Sequence, residues 1–201
     1  MAAGIMTDLS RRDMVKALAA APMAGSLLGK AEIERAWRGV RAAGAAFQPR
    51  FFTAHELETV RMLSDLVIPP DGRSGGATDA GVPEFIDFVL AEADDENRRI
   101  AVRGGLGWLD IECRERYGGK NFIACTDEQR ARLLDQIAWP RMAPPALGHG
   151  VRFFNTFRNL VASGFWSSKM GVEDLRYMGN TSIAEWRGCP PEQMRRLGVR
   201  Y

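Results

Sequence analysis

Length, composition and charge exclude several classes of protein before any motif is considered. The chain has 201 residues, 46% of them hydrophobic and 26% charged, which is typical of one globular domain and not of a disordered segment. The formal net charge at pH 7 is only +2, and basic residues are interspersed with acidic ones, so a nucleic-acid partner is not expected.

Histidine and cysteine are scarce, which argues against a histidine-based metal site or a catalytic triad. His55 and His149 are the only histidines. Only His55 has a carboxylate one helical turn away, Glu58, and a solvated helix face explains that pair better than proton transfer does. The three cysteines form no C-x-x-C pair, and in an oxidising compartment their odd number leaves at least one thiol for another chain. We predict no catalytic, cofactor-binding or metal-binding residue in this chain.

The N-terminus carries the pattern of an export signal. Arg11 and Arg12 precede a mildly hydrophobic run over residues 17–29, which is typical of a twin-arginine signal. The run is shorter than the roughly 20 residues of a membrane-spanning helix, and Pro22 interrupts it. We therefore predict a signal region over residues 1–30 and a periplasmic location. A surface helix with two adjacent arginines is the alternative.

Six amphipathic helices are predicted in chain order. The first is a candidate helix between Lys30 and Arg41, where Ile33, Trp37 and Val40 recur at helical spacing. Two rival small-residue processing sites, at 24–26 and 43–45, flank it, and the choice between them stays open. Capping boxes at residues 53–56 and 126–129 open the second and fifth helices, which end at Pro69-Pro70 and near Pro140. The third begins near Pro83, the fourth spans about 96–117, and the sixth follows Gly148. The residues predicted to form the apolar faces of the later helices are Leu57, Val60, Leu63, Leu66, Val67, Phe85, Ile86, Phe88, Val89, Leu90, Ile100, Leu106, Leu109, Ile111, Cys113, Leu133, Leu134, Ile137, Val151, Phe154, Phe157, Leu160 and Val161.

Three glycines lie inside the predicted helix over residues 96–117. Gly104, Gly105 and Gly107 each cost about 1 kcal/mol relative to alanine in a helix interior. Either close packing compensates for this cost, or the helix breaks there.

The fold class predicted from these elements is mainly α: a single-domain helical bundle over residues 31–163 with an irregular, aromatic-rich tail over residues 164–201. Large aromatic side chains supply contact area either to a partner or to the domain's own core. We predict that the tail binds a partner. Cys189 either forms a disulfide with another chain or is a free or buried thiol. The predicted interface residues are Phe165, Trp166, Tyr177, Trp186 and Cys189.

The loop over residues 71–79 combines two carboxylates with several glycines. Asp71 and Asp79 suggest acid–base chemistry or a cation site, but turn-forming aspartates are the commoner explanation. Gly72, Gly75 and Gly76 follow a helix and lack the strand–loop–helix context of a phosphate-binding loop.

Two groups of short motifs follow one another along the chain. The first group is Asp65-Leu66-Val67-Ile68-Pro69, Asp71, Gly76-Ala77, Ala80-Gly81-Val82 and Phe85-Ile86-Asp87. The second is Phe122, Thr126-Asp127-Glu128-Gln129, Gly164-Phe165-Trp166-Ser167-Ser168, Tyr177-Met178-Gly179-Asn180 and Trp186-Arg187-Gly188-Cys189-Pro190. In this order the motifs resemble the family called gluconate 2-dehydrogenase subunit 3. Each motif alone is common in loops, so the resemblance rests on their shared order.

The resemblance implies a subunit without chemistry of its own that assists folding, export and stability of a larger catalytic subunit. That partner would be a flavoprotein of the glucose-methanol-choline type, holding FAD and oxidising a sugar, sugar acid or glycoside, with a cytochrome c subunit as one possible electron acceptor. Contact with the membrane would come only through the complex. Two alternatives stay open: an independent periplasmic enzyme acting through Asp71, Asp79 or His55, and a scaffold that binds a cytochrome directly.

Overall fold

The computed structural model describes residues 28–93, 95–177, 179, 185 and 188–199. Over these residues the chain forms eight α-helices and no β-strand, which confirms the mainly α-helical fold class. Arg11, Arg12 and Trp186 lie outside the described residues. The helices are α1 (Lys30–Ala43), α2 (Ala54–Val67), α3 (Val82–Ala91), α4 (Glu96–Arg116), α5 (Asp127–Ala138), α6 (Gly148–Ser167), α7 (Lys169–Asp174) and α8 (Pro191–Leu197), with short 3-10 helices at Gly44–Ala46 and Pro145–Leu147.

Local signals in the sequence fix where α2 and α5 begin. The Thr53 hydroxyl accepts a hydrogen bond from the Glu56 amide at 3.2 Å, while the Glu56 carboxylate accepts one from the Thr53 amide at 2.8 Å. Thr126 and Gln129 make the same reciprocal pair at the start of α5. These contacts satisfy amides that have no partner within the helix, so both predicted capping boxes are confirmed.

Helix α6 lies at the centre of the bundle and contacts each of the helices α1 to α5. Its predicted apolar stripe, from Val151 to Val161, is buried. Aromatic rings from neighbouring helices lie directly over its glycines: a Cβ atom added to Gly164 would come within 2.8 Å of the Phe85 ring, and one added to Gly150 within 2.4 Å of the Trp108 ring. Such close packing requires glycine at these two positions.

Helix α4 is continuous through its three glycines, but two of its predicted core residues are not in the core. Ile100 is 62% exposed and Ile111 is 52% exposed, so their assignment to the core was wrong. Leu106, Leu109 and Cys113 are buried as predicted. The helical repeat places positions 100 and 111 on the side of α4 opposite these three residues.

The helical part of the chain extends further than the predicted boundary at residue 164. Helix α6 continues to Ser167, and α7 follows directly from Lys169. The reason is that Phe165 falls in phase with the buried stripe of α6 and is itself fully buried. Residues 164–174 therefore belong to the helical domain, and Ser168, between the two helices, caps the start of α7.

A buried carboxylate on α3 holds the segment that leads into α2. Asp87 is fully buried and accepts three backbone hydrogen bonds, from the amides of Arg50 at 2.8 Å, Phe51 at 3.0 Å and Phe52 at 2.9 Å. The guanidinium group of Arg103 on α4 binds the Phe51 carbonyl and stacks over the Phe51 ring, 4.2 Å from its centroid. Residues 50–52 thus join α2, α3 and α4.

We expect the substitution Asp87→Ala to lower the free energy of unfolding by about 3–5 kcal/mol, because it leaves two buried amides and one partly buried amide without an acceptor. Urea denaturation followed by circular dichroism measures this change. The matched control is Glu92→Ala, which removes an exposed ion pair with Arg50 (3.0 Å) and should cost less than about 1 kcal/mol. Equal effects of the two substitutions would contradict this role of Asp87.

Candidate functional site

The imidazole of His55 pairs with a residue that the sequence did not suggest. Its Nε2 lies 2.6 Å from Oδ2 of Asp110 on α4, so the interaction is with Asp110 and not with Glu58 one turn away. The imidazole is half-exposed, whereas Asp110 is largely buried. The two residues are 55 positions apart, and no local pattern predicts such a pair.

The surroundings of Asp110 assign this pair a structural role. Its Oδ1 accepts a hydrogen bond from the Phe122 amide at 2.9 Å, and the Arg114 guanidinium lies 3.6 Å from Oδ2. The carboxylate thereby links α2, α4 and the turn that precedes α5. A His–Asp pair orients an imidazole for proton transfer when a reacting group is within reach. Here the Asp110 carboxylate interacts with His55, the Phe122 amide and Arg114 at once, so it holds parts of the fold together.

The carboxylates of the loop over residues 71–79 bind amides of that same loop. Asp71 accepts hydrogen bonds from the amides of Arg73 at 2.8 Å and Ser74 at 3.0 Å. Asp79 accepts one from the Gly76 amide at 2.8 Å. These are the contacts of turn-forming aspartates. Among the residues that the structure describes, no group of three or more His, Cys, Asp or Glu side chains is arranged to hold a metal ion.

The outward side of α4 is an exposed face without polar side chains at its centre, formed by Ile100, Gly104, Gly107 and Ile111. We call it the α4 face. A Cβ atom added to Gly104 or to Gly107 would meet no atom of the described residues within 4 Å. By contrast, one added to Gly105 would lie 1.9 Å from an atom of the Phe153 ring. Packing among the described residues therefore explains Gly105, but it does not explain the two glycines of the α4 face.

A comparison with protein families decides where the chain belongs. The family model of gluconate 2-dehydrogenase subunit 3 matches residues 54–185, which is most of the chain. The chain belongs to the gluconate 2-dehydrogenase subunit 3 family. No curated protein and no solved structure matches it. The family assignment made from the ordered motifs is confirmed, and the chain is a subunit of a multi-subunit dehydrogenase complex.

The match to gluconate 2-dehydrogenase subunit 3 includes helices α2 to α7 and leaves out α1 and α8. Helix α1 is nevertheless integrated into the domain. The Trp37 indole donates a hydrogen bond to the Ser167 hydroxyl at 2.8 Å, and its ring lies 5.0 Å from that of Phe85. None of the helices in the described part of this subunit is long and apolar enough to cross a membrane.

The predicted interface residues of the subunit differ in their exposure. Phe165 is buried in the domain's own core and offers no surface to a partner. Trp166 is half-buried and meets Phe165 edge to face, with ring centroids 4.9 Å apart. Tyr177 is 58% exposed, and Cys189 is also exposed. Trp186 lies outside the described residues.

Two polar side chains on α6 of the subunit are only partly satisfied, and the sequence analysis missed both. Arg158 is half-buried, and burial lowers the pKa of its guanidinium. Its Nε atom makes no hydrogen bond with the described residues, and neither does Oδ1 of Asn155, one turn earlier. Desolvated polar atoms without partners are rare inside proteins, because each one costs free energy. The three-dimensional surroundings of the two side chains reveal these unpartnered atoms, and the sequence contains no signal for them.

We expect glycine-to-alanine substitutions in α4 to have opposite effects on the isolated subunit. Gly104→Ala should raise the free energy of unfolding by up to about 1 kcal/mol, because it adds helix propensity without a clash. Gly105→Ala should lower it by about 1–3 kcal/mol or more, because its methyl group overlaps the Phe153 ring. Chemical denaturation measures both values, and a stabilised Gly105→Ala variant would contradict the described packing.

Proposed function

We propose that this chain is the non-catalytic small subunit of an FAD-dependent dehydrogenase of the glucose-methanol-choline type, which oxidises a sugar, sugar acid or glycoside. The subunit binds the catalytic chain and assists its folding, export and stability. The complex is periplasmic, reaches the membrane only through its other components, and passes electrons to a cytochrome c subunit or to another acceptor. The FAD belongs to the partner, and this chain holds no cofactor.

The α4 face carries this proposal. An apolar strip centred on two glycines lets another backbone approach the helix closely, and it leaves Ile100 and Ile111 to be covered by the same partner. Two glycines in a helix cost about 2 kcal/mol together, and nothing within the described part of this chain offsets that cost. Because the family is a dehydrogenase subunit, the catalytic subunit is the partner that we assign to this face.

The tail and α6 provide further contact area for the same partner. Trp166 and Tyr177 are aromatic residues of the kind that contribute most to binding free energy at interfaces. Arg158 has a desolvated guanidinium, which a carboxylate of the catalytic subunit would satisfy. We keep Trp186 and Cys189 as predicted interface residues.

The contacts made by the loop over residues 71–79 and by His55 favour an accessory subunit over an independent enzyme. Asp71 and Asp79 are engaged by backbone amides, and Asp110 anchors the His55 ring while binding a second element. A general base needs a lone pair that points toward a substrate, and these carboxylates already accept hydrogen bonds from the protein. Sugar oxidation by the purified chain alone would overturn the proposal in favour of the independent enzyme.

Co-purification with the catalytic subunit tests the proposal. We expect the isolated chain to be colourless and the co-expressed pair to be a yellow complex with a flavin spectrum. Gly104→Arg should abolish co-purification, because its side chain would occupy the α4 face while the domain stays folded. The matched control is Gly72→Arg, a substitution with equally open surroundings in a loop away from α4, which should leave the complex intact.

Two outcomes of this experiment would contradict parts of the proposal, and a third would call for a second variant. A complex that forms normally with Gly104→Arg would remove the α4 face from the interface. A purified complex that contains haem without flavin would favour the cytochrome-binding scaffold instead. A loss of circular dichroism signal in Gly104→Arg would show that the substitution damages the fold, and Gly107→Arg then provides a second test of the same face.

Export is tested by replacing Arg11 and Arg12 with lysine. The twin-arginine route requires the arginine pair and carries folded proteins, so we expect the catalytic subunit to remain in the cytoplasm together with this chain. Fractionation followed by a dehydrogenase assay measures the location. The control replaces Arg38 and Arg41, two exposed arginines of α1, with lysine and should leave export unchanged. Normal periplasmic activity of the Arg11, Arg12 variant would contradict escorted export.

A further inference from the structure

Two of the three cysteines meet inside the domain. Cys113 lies near the end of α4 and is fully buried, and Cys125 lies in the turn before α5 and is almost fully buried. After burial, interaction with Cys125 is the main cause that raises the pKa of the Cys113 thiol, so the two side chains are neighbours. No disulfide links any of the three cysteines, all of which belong to the described residues.

Several contacts fix the turn that carries Cys125 against α4. The Phe122 amide donates to Asp110, one turn before Cys113, at 2.9 Å, and the Cys125 amide donates to the Phe122 carbonyl at 3.3 Å. The buried guanidinium of Arg130 binds the carbonyl oxygens of Ile123, at 3.1 Å, and Cys125. The backbone of the turn that carries Cys125 is therefore fixed against α4, one helical turn before Cys113.

We propose that Cys113 and Cys125 form an intramolecular disulfide under oxidising conditions, which locks the turn before α5 onto α4. The oxidant is an external disulfide, either on a thiol–disulfide oxidoreductase or on a small molecule. The proposal concerns the chemistry of this chain alone and does not depend on the proposed export or on the catalytic subunit. The proposed disulfide does not include Cys189.

The reaction proceeds by two exchanges. The thiolate of Cys125 attacks one sulfur of the external disulfide, so a mixed disulfide forms and one external thiol leaves. The thiolate of Cys113 then attacks the Cys125 sulfur, the Cys113–Cys125 bond forms, and the second external thiol leaves. The two cysteines lose two electrons and two protons in total, and the external disulfide gains them.

The environment of Cys113 makes it the second of the two to react. Burial, followed by the hydrogen bond and charge of Cys125 and the charge of Asp110, raises the pKa of the Cys113 thiol to about 12. A thiol with so high a pKa forms little thiolate at neutral pH and is a slow attacking group. Oxidation should therefore be slow in the native state and faster at higher pH or when the turn opens.

The test uses the purified full-length chain carrying Cys189→Ser, incubated with oxidised glutathione at alkaline pH until no further reaction occurs, and then denatured and alkylated. We expect both remaining cysteines to resist alkylation and the intact mass to fall by two hydrogen atoms. Trypsin cuts after Arg103, Arg114, Lys120 and Arg130, so the disulfide should appear as peptide 104–114 joined to peptide 121–130. The oxidised chain should melt about 5–10 °C above the reduced chain.

Variants and alternative products keep the test decisive. Cys113→Ala and Cys125→Ala should each abolish the joined peptide, and the reduced forms should keep their circular dichroism spectrum. Two alkylated cysteines, stable glutathione adducts on both residues, or a disulfide from either residue to Cys189 in the unaltered chain would each overturn the proposal. A melting temperature lowered by oxidation would do so as well, since it would mean that the native backbone cannot accommodate the bond.

Discussion

The Asp87 carboxylate is the contact on which the arrangement of the N-terminal helices depends. It is fully buried and accepts hydrogen bonds from three successive amides, so its desolvation is balanced only while residues 50–52 stay in place. Those residues in turn present a carbonyl and an aromatic ring to Arg103 on α4. Because the three contacts share one short segment, α2, α3 and α4 are positioned together, and the His55–Asp110 pair and the α4 face depend on that placement.

Glycine has two distinct roles in this bundle. Gly105, Gly150 and Gly164 lie under aromatic rings of neighbouring helices, where a methyl group would overlap the ring. Gly104 and Gly107 face open space on the same helix as Gly105, and they lower its intrinsic stability with no compensating contact among the described residues. Helix α4 therefore joins the bundle through one side and leaves the other side suited to close approach by a second chain. A subunit whose family belongs to a larger dehydrogenase has a clear use for such a face.

Several polar side chains of this chain stabilise the fold by binding backbone groups. Asp71, Asp79, Asp87 and Asp110 all bind backbone amides, and Arg130 binds carbonyl oxygens at the turn before α5. Each of these side chains would attract attention as a candidate for catalysis if it were seen in the sequence alone. Their contacts explain these carboxylates as parts of the fold, which agrees with the proposed role of the chain as a binding subunit.

The sequence by itself determined the helical fold class, the capped starts of α2 and α5, the buried stripes of α5 and α6, and the family. The helix starts depend on local hydrogen bonding, and the fold class and buried stripes depend on the helical repeat. The family follows from the order of short motifs. It assigned Ile100 and Ile111 to the core, since an apolar residue in a helix is more often inside than outside, and it ended the bundle at residue 164 because glycine and aromatic residues follow there. Only the tertiary structure decided that Asp110 and not Glu58 pairs with His55, that Cys113 and Cys125 are neighbours, and which of the three glycines of α4 is packed. These facts depend on which helices meet and at what distance, and contacts between residues far apart in the chain leave no periodic trace in a single sequence.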